Sequence, residues 1–141
     1  MPERMVMINT VCSGSHGRIM SDLQSALLAR GDEAYVAFAR GRENASGRCV
    51  RIGGPWDVRL HGLASRLLDR HGFASKQATI RFVRELERLE PDAVHLHNLH
   101  GYYLNLEVLC GALRDLKVPV IWTLHDCWAL TGHCSHFVRA D

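Results

Sequence analysis

The chain has 141 residues, of which 47% are hydrophobic and 23% charged, as is typical of one globular domain with its own core. This composition excludes an intrinsically disordered chain. The formal net charge is only +2 and the basic residues are scattered, which argues against nucleic acid as a partner. The chain also lacks an apolar run near the ~20 residues of a membrane span, and its start lacks the apolar part of a signal peptide. We therefore expect a cytoplasmic protein.

The cysteine and histidine contents indicate where to look for chemistry. Five dispersed cysteines, an odd number in a chain without a signal peptide, predict free thiols in a reducing compartment. Nine histidines are present, and six of them lie between His95 and His136. This part of the chain is the first candidate for a functional site.

The N-terminal third predicts a strand, a helix and a second strand. Met5–Val11 is a short apolar run that ends at a glycine turn, as a buried strand does. A helix is predicted from Gly17 to Arg30, with one apolar stripe made of Ile19, Leu23, Ala26 and Leu27. A second strand begins at Glu33. Such a βαβ unit makes the two strands parallel neighbours.

The middle of the chain predicts a loop, two amphipathic helices and a third strand. Residues 40–56 form the loop, with room for a short strand at Cys49–Ile52. Each helix has one apolar face, and Ser75 is the expected N-cap of the second. These faces consist of Leu60, Leu63, Leu67 and Leu68 in one helix and of Ile80, Val83, Leu86 and Leu89 in the other. Pro91 ends the second helix, and the third strand follows in "DAVHLH".

The last third predicts one more helix and one more strand. Asn105 is the expected N-cap of a helix with a stripe of Leu106, Leu109, Leu113 and Leu116. The fourth strand is "VPVIWTL". Strands that alternate with helices predict an α/β fold, a Rossmann-like parallel sheet with helices on both faces. Ligands of such sheets bind beyond the carboxyl ends of the strands, which here are followed by "CSGSHG", "HNLHGYY" and "HDCW".

The glycine loop after the first strand is a candidate phosphate site. "SGSHGR" opens a helix, whose first N–H groups and partial positive charge favour anions. Its G-x-x-G spacing matches neither the dinucleotide motif nor the P-loop. The alternative is a plain strand-to-helix turn that requires glycine.

The "HLHNLH" run permits a metal site or a sugar-binding loop. His95 and His97 alternate along a strand and can therefore chelate one ion, which with His100 and His125 would suit a zinc-dependent hydrolase. Metallo-β-lactamase-like hydrolases have a similar run, but with aspartate where this chain has Leu99, and their strands are antiparallel. In the alternative, His95 is buried and residues 97–100 bind sugar hydroxyls.

Two further groups follow the fourth strand. His125 and Asp126 lie where a proton acceptor or a hydroxyl ligand would act, although local capping of the strand end is the alternative. The soft ligands beyond them are Cys127, His133, Cys134 and His136. They lack the paired C-x₂-C spacing of structural zinc sites, so we expect no metal, and Cys127, Cys134 and His136 are weak candidates that would need residues beyond Asp141.

Four segments together resemble the N-terminal half of bacterial family 4 glycosyltransferases with the GT-B fold, of the type found in exopolysaccharide and colanic-acid assembly. They are "VCSGSHGRIMSDL", "DRHGFASKQAT", "PDAVHLHNLHGYYLN" and "PVIWTLHDCWALTGHCSHF". The resemblance implies a retaining transfer of a sugar from a nucleotide-sugar donor to a glycan or lipid-linked acceptor. The donor is a substrate, and no cofactor is implied.

The resemblance also implies a role for individual residues. His125, with Asp126, would lie beside the reacting sugar. Gly14, Ser15 and Gly17 would contact the donor diphosphate, and the acceptor would be lined by His97, Asn98, His100 and Tyr102.

The second, donor-binding domain of this family is not among these residues, so we expect residues 1–141 to be a truncated acceptor-side domain that is inactive alone. A non-catalytic glycan-binding or partner-dependent fragment is the alternative, because an incomplete sheet leaves an apolar edge exposed. The expected partners beyond the substrates are a separate donor-domain chain, a second copy, or the inner face of the cytoplasmic membrane.

Overall fold

A computed structural model describes residues 3–12, 14–43, 46–68 and 73–131. In chain order its elements are β1 (Arg4–Val11), α1 (Gly14–Ala29), β2 (Glu33–Arg40), β3 (Cys49–Arg51), α2 (Pro55–Leu68), α3 (Lys76–Leu89), β4 (Ala93–Leu96), α4 (Leu106–Leu116), β5 (Val120–Trp122) and α5 (Trp128–Thr131). The sheet order is β3-β2-β1-β4-β5, and every neighbouring pair is parallel. The predicted Rossmann-like α/β fold is confirmed, and the short strand expected near Cys49 forms one edge of the sheet.

The central strands are buried on both faces because helices cover both sides of the sheet. Alternate residues of β1 enter different cores. Val6 and Ile8 pack in a large core with α3 and α4, whereas Met7 packs with Met20 of α1 in a smaller one. The sheet is therefore the shared layer between two hydrophobic cores.

The predicted apolar stripe of α1 is wrong in part. Ile19 is 44% exposed, and Leu23 is also exposed. The buried side of the helix instead carries Gly17, Met20 and Gln24. Gln24 tolerates burial because its Nε2 donates to the carbonyl oxygens of Ala34, at 2.9 Å, and Arg48, at 3.1 Å. A polar residue with satisfied hydrogen bonds thus occupies the inner line of the helix.

Two residues of the predicted face of α2, Leu60 and Leu63, point away from the core, whereas the side chains of the other two, Leu67 and Leu68, lie outside the described part of the chain. Leu60 and Leu63 are 63% and 54% exposed, and the residue buried between them is His61. Ser75 does precede α3 as its N-cap, but its side chain makes no cap hydrogen bond. Its Oγ lies 2.8 Å from Nδ1 of His61 and so connects the start of α3 to the buried side of α2.

Helix α4 follows the predicted pattern closely, whereas in α3 only Leu86 of the predicted stripe is buried, and the buried line also contains Ala78, Thr79 and Phe82. Leu86 of α3 and both Leu109 and Leu113 of α4 are buried. Asn105 caps α4 as expected, because its side chain accepts from the N–H of Val108. The same side chain donates to the carbonyl oxygen of Phe73 at 2.6 Å, so the cap also joins α4 to the turn before α3.

None of the helices in the described ranges has the length and apolarity that crossing a membrane requires. The Sγ atoms of Cys12 and Cys49 lie 3.8 Å apart, a contact between two thiols and well beyond the length of a disulfide bond. Cys110 and Cys127 are free thiols, as predicted.

Gly17 should be required for the close packing of α1 on the end of β1. A Cβ at this position would lie 2.6 Å from the carbonyl carbon of Cys12, which is backbone and cannot move aside. We expect Gly17→Ala to lower the free energy of unfolding by about 1–3 kcal/mol, measured by chemical denaturation.

Gly111→Ala is the matched control, since Gly111 also lies within a helix but has no atom within 4 Å of the added Cβ. It should stabilise the protein by roughly 0.5–1 kcal/mol through helix propensity. Equal effects of the two substitutions would contradict the packing role of Gly17.

Candidate functional site

The candidate site lies at the edge of the sheet where β1, β4 and β5 end. Ile8 of β1 is in register with Leu96 of β4, and Leu96 with Trp122 of β5. Since the three strands are parallel, the segments that follow them leave the sheet at the same edge. The predicted meeting of the "HNLHGYY" and "HDCW" loops is confirmed by direct contact.

The loop after β4 is fastened to the end of β1. Oγ1 of Thr10 lies 2.6 Å from the carbonyl oxygen of His100 and 3.1 Å from that of Asn98. The buried hydroxyl of Tyr103 donates to the same Asn98 oxygen at 2.7 Å, and burial raises the pKa of this phenol so that it stays protonated. Gly101 has φ of 114°, and a Cβ there would lie 2.7 Å from Cγ2 of Thr10. These contacts fix the loop to the end of β1.

Three histidines lie side by side across β4 and β5. Nε2 of His95 is 2.8 Å from Oγ1 of Thr123, and Nδ1 of His97 is 2.8 Å from Nε2 of His125. The rings of His95 and His97 have centroids 4.1 Å apart, and those of His97 and His125 are 5.1 Å apart with planes 18° from parallel. The cluster therefore joins the end of one strand to the loop after its neighbour.

The ring of His97 is neutral at neutral pH. Only 3% of this residue is exposed, and its Nε2 is buried without a hydrogen-bond partner in the part of the chain that the structure describes. Burial lowers the pKa of His97 from 6.5 to about 4, and the charges of His95 and His125 act in the same direction. Burial also lowers the pKa of His95, with a further contribution from His125.

A carboxylate and an imidazole form the second pair at this edge. Oδ2 of Asp126 lies 2.7 Å from Nε2 of His100, and Oδ1 accepts from the N–H of Trp128 at 2.9 Å, which caps α5. Burial alone would raise the pKa of Asp126, but the Trp128 N–H and His100 outweigh it and lower this pKa. Both oxygens of Asp126 are thus bonded to partners other than His125. Local capping, which the sequence left open as the alternative to a role in chemistry, is therefore part of what Asp126 does.

The residues expected to line the acceptor differ in their exposure. His97 and Asn98 are buried, so they lie behind the surface that a ligand would touch. His100 and Tyr102 are partly exposed. Tyr102 has φ of 63°, a backbone conformation that non-glycine residues rarely adopt, and its ring packs edge-on against His61 at 5.8 Å.

The glycine loop lies at the same edge of the sheet as the histidines. α1 begins at Gly14, three residues earlier than predicted, so Gly14, Ser15 and Gly17 all belong to its first turn. The first N–H groups of a helix lack intrahelical acceptors and can bind an anion. Gly17 is buried against Cys12, so close packing alone explains why glycine is required at this position, whether or not a ligand binds there.

The described residues contain no group of three or more histidine, cysteine, aspartate or glutamate side chains arranged to hold a metal ion. His95, His97 and His100 each have a different polar partner, namely Thr123, His125 and Asp126. Cys127 lies in the loop before α5, whereas His133, Cys134 and His136 lie outside the described residues.

Sequence reasoning missed several residues at the site. Trp122 donates from Nε1 to the carbonyl oxygen of His97 at 3.0 Å, and the ring of Trp128 lies 5.7 Å from that of His100. Asn9, buried in β1, accepts from the N–H of Asn98 at 3.4 Å. Their positions at strand ends were a signal for Thr10 and Trp122, but which loop each would contact depends on the sheet order.

Comparisons with known proteins point to one family. A family model described as Glycosyltransferase Family 4 matches residues 16–140. A protein of Escherichia coli (strain K12), WcaC, provisionally named as a colanic acid biosynthesis glycosyl transferase, is 42% identical over 50 residues. That match covers 32% of this chain and only 12% of the relative. A search of solved structures found no significant match.

The buried His97 should make the protein less stable in acid. Folding lowers the pKa of His97 from 6.5 to about 4, so between these pH values the unfolded chain binds more protons than the folded one. The contribution of His97 to the free energy of unfolding is therefore complete above pH 6.5 and is lost as the pH falls toward 4. We expect a loss of up to about 3 kcal/mol from this residue. Asp126 adds a loss only at lower pH, below the ordinary pKa of its carboxyl.

Urea unfolding of wild type and His97→Asn at several pH values measures this contribution. The variant should show a shallower decline between pH 6.5 and 4, with the remaining slope due to His95 and the other titrating groups. Identical pH profiles of the two proteins would contradict a neutral, buried His97.

Proposed function

This chain belongs to glycosyltransferase family 4, and from that premise we propose that it forms the acceptor-side domain of a sugar-transferring enzyme. In this proposal the complete enzyme transfers a sugar, with retention of configuration, from a nucleotide-sugar donor to a glycan or lipid-linked acceptor. The observation that carries the proposal is the contact between His97 and His125 at the strand edge from which α1 also departs.

His125 is the proposed residue beside the reacting sugar. It lies three residues beyond the end of β5, and its ring is held from behind by His97. An imidazole there can bond a sugar hydroxyl or share a proton with it near neutral pH. Asp126 supports the same loop through His100 and the start of α5, so its proposed role is to hold the loop in shape.

The first turn of α1 is the proposed contact for the donor diphosphate. Gly14 and Ser15 offer backbone N–H groups and the positive end of a 16-residue helix. A leaving diphosphate gains negative charge as the glycosidic bond breaks, so donors already in position stabilise the transition state. Gly17 supports this turn by allowing α1 to approach Cys12.

The acceptor would lie over His100 and Tyr102, with His97 and Asn98 supporting that surface from behind. The cavity among His97, His100, His125 and Trp128 has a volume of about 10 Å³, enough for about one water molecule and too small for a sugar. A sugar must therefore bind above these residues, and a second wall is needed to exclude water. We propose that this wall is the donor-binding domain of the family, supplied from outside the described residues.

The finer assignment is to exopolysaccharide assembly. It is supported by the partial match to the Escherichia coli protein whose name refers to colanic acid biosynthesis. The match is confined to 50 residues and leaves the sugar, the nucleotide and the acceptor open.

The exposed face of α2 supports peripheral contact with a membrane, as a lipid-linked acceptor would require. Trp56, 71% exposed, Leu60 and Leu63 lie at spacings of four and seven residues on the outer side of this helix. The guanidinium of Arg59 lies 5.2 Å from the centre of the Trp56 ring. An apolar stripe with an indole and a nearby arginine fits the boundary of an anionic bilayer, so we propose the inner face of the cytoplasmic membrane as its location.

Partner-dependent binding without catalysis is the second candidate function. Val120, Ile121 and Trp122 of the edge strand β5 are all exposed, although parallel strands are normally covered on both faces. This exposure favours association with a chain that completes the sheet, whether or not sugar transfer follows.

A nucleotide-sugar titration tests the proposed function. Addition of UDP-glucose or GDP-mannose to the ¹⁵N-labelled chain should shift the amide signals of Gly14 to Gly17 and the ring signals of His125. Ser15→Glu should abolish these shifts, because its carboxylate would occupy the positive end of the helix. Helix stability should not suffer, since acidic residues are favoured in a first turn.

Ser21→Glu is the control, with the same charge change further along the helix. The chain alone should give no labelled product with a nucleotide sugar and a lipid-linked acceptor, since one wall cannot close the cleft. Shifts confined to other surfaces, or shifts that survive in Ser15→Glu, would contradict the proposed donor contact. Sugar transfer by the chain alone would contradict the need for a second wall.

Sedimentation with vesicles tests the membrane contact. Binding to phosphatidylglycerol vesicles should exceed binding to phosphatidylcholine vesicles, and the double variant Trp56→Ser, Leu60→Ser should weaken it at least about tenfold through lost apolar contact. Leu130→Ser is the matched control, because Leu130 is an equally exposed leucine on α5. Equal binding of both variants would contradict a specific role of α2.

A further inference from the structure

His97 is anchored to the strands on both sides of it. Its N–H donates to the carbonyl oxygen of Ile8 in β1 at 2.9 Å, and its carbonyl oxygen accepts from Nε1 of Trp122 in β5 at 3.0 Å. The backbone of a residue held on both sides has little freedom to rotate. Its side chain therefore leaves the sheet in one fixed direction.

The imidazole of His97 makes one hydrogen bond with a described residue. Nδ1 lies 2.8 Å from Nε2 of His125, within hydrogen-bond distance, and the two ring planes are 18° from parallel. Nε2 of His97 is buried without a partner in the described ranges. One nitrogen of this ring is thus committed to His125, and the other is enclosed.

This arrangement determines where the protons lie. His97 is neutral because burial lowers its pKa to about 4, so it has one N–H. A buried N–H without an acceptor is rarer and more costly than a buried lone pair without a donor. The proton of His97 therefore lies on Nδ1 and points at His125. Nε2 of His125 must accept it, which leaves the proton of a neutral His125 on Nδ1.

We propose that His97 is a positioning residue that donates its Nδ1–H to Nε2 of His125 and so fixes both the orientation and the tautomer of that ring. The proposal deepens the proposed function, since it rests on His125 as the group beside the reacting sugar. In this proposal His97 acts on the reaction through His125 and does not contact the acceptor. An imidazole on a loop can rotate and exchange tautomers, whereas the ring of His125 is held in one orientation and one tautomer by its bond to His97.

Two other roles of His97 agree less well with the structure. Direct contact with an acceptor requires exposed ring atoms, and His97 is 3% exposed. A histidine that serves only the core would have both nitrogens satisfied, as buried polar groups generally do. A ring with one nitrogen enclosed and the other aimed at a neighbouring histidine fits the control of that neighbour.

Nitrogen NMR of the imidazole rings tests the proposal on this chain without any ligand. The wild type should show Nε2 of His125 as an unprotonated, hydrogen-bonded nitrogen and Nδ1 as the protonated one. A scalar coupling between Nδ1 of His97 and Nε2 of His125 should be detectable across the hydrogen bond. His97→Asn should keep the tautomer, since its amide nitrogen can take the position of Nδ1.

His97→Gln and His97→Ala should shift His125 toward the Nε2–H tautomer that free imidazole favours, because neither has a donor at the position of Nδ1. His61→Asn is the control for the loss of a buried, hydrogen-bonded imidazole elsewhere, and amide spectra confirm that each variant is folded.

A protonated Nε2 on His125 in the wild type would overturn the proposal even if the variants failed to fold. So would an unchanged His125 tautomer in folded His97→Gln and His97→Ala. The NMR experiment on the histidine rings uses no nucleotide sugar, so a negative result would not affect the proposed donor contact at α1. A negative nucleotide-sugar titration would likewise leave the tautomer of His125 unaffected.

Discussion

The parallel pairing of β4 with β1 on one side and β5 on the other is the constraint on which the candidate site depends. His95 bonds Thr123 and His97 bonds His125, and both pairs are separated by 28 residues. Alternate residues of a strand point to the same face, so one register between β4 and the segment containing β5 produces both bonds. A slip of one residue would turn one set of side chains to the opposite face and break both.

The site is polar, largely buried and held together by internal hydrogen bonds. Histidine, asparagine and tyrosine side chains extend the hydrophobic core toward the sheet edge, and burial keeps His97 and Tyr103 neutral there because it disfavours their charged forms. The carboxylate of Asp126 keeps its charge through the Trp128 N–H and His100. In the proposed enzyme, groups held in this way would need little reorganisation when charge develops on a bound sugar, and this preorganisation would stabilise the transition state.

The same domain leaves two apolar surfaces uncovered, the outer face of α2 and the edge strand β5. They differ in character. The α2 face carries an indole and an arginine, which suits a lipid interface. Among the described residues β5 pairs only with β4, so it presents an open sheet edge, which suits a protein partner. Together with the small cavity among His97, His100, His125 and Trp128, these surfaces agree with the proposal that the domain forms one wall of a cleft.

Much of the fold and part of the site followed from the sequence, because strand and helix periodicities and turn residues act locally. The strands, the Asn105 cap and the position of His125 at a strand end are of this kind, and the motifs identified the family. Periodicity predicts a stripe on a helix but not which side meets the sheet: in α1 the buried line contains Gln24, and in α2 it contains His61. Other features depend on distant parts of the chain. His100 pairs with Asp126, 26 positions away, and Thr10 holds the loop at His100, 90 positions away. The burial of His97 likewise depends on how the strands are arranged. Such contacts are decided by the order and register of the strands, which only the tertiary structure determines.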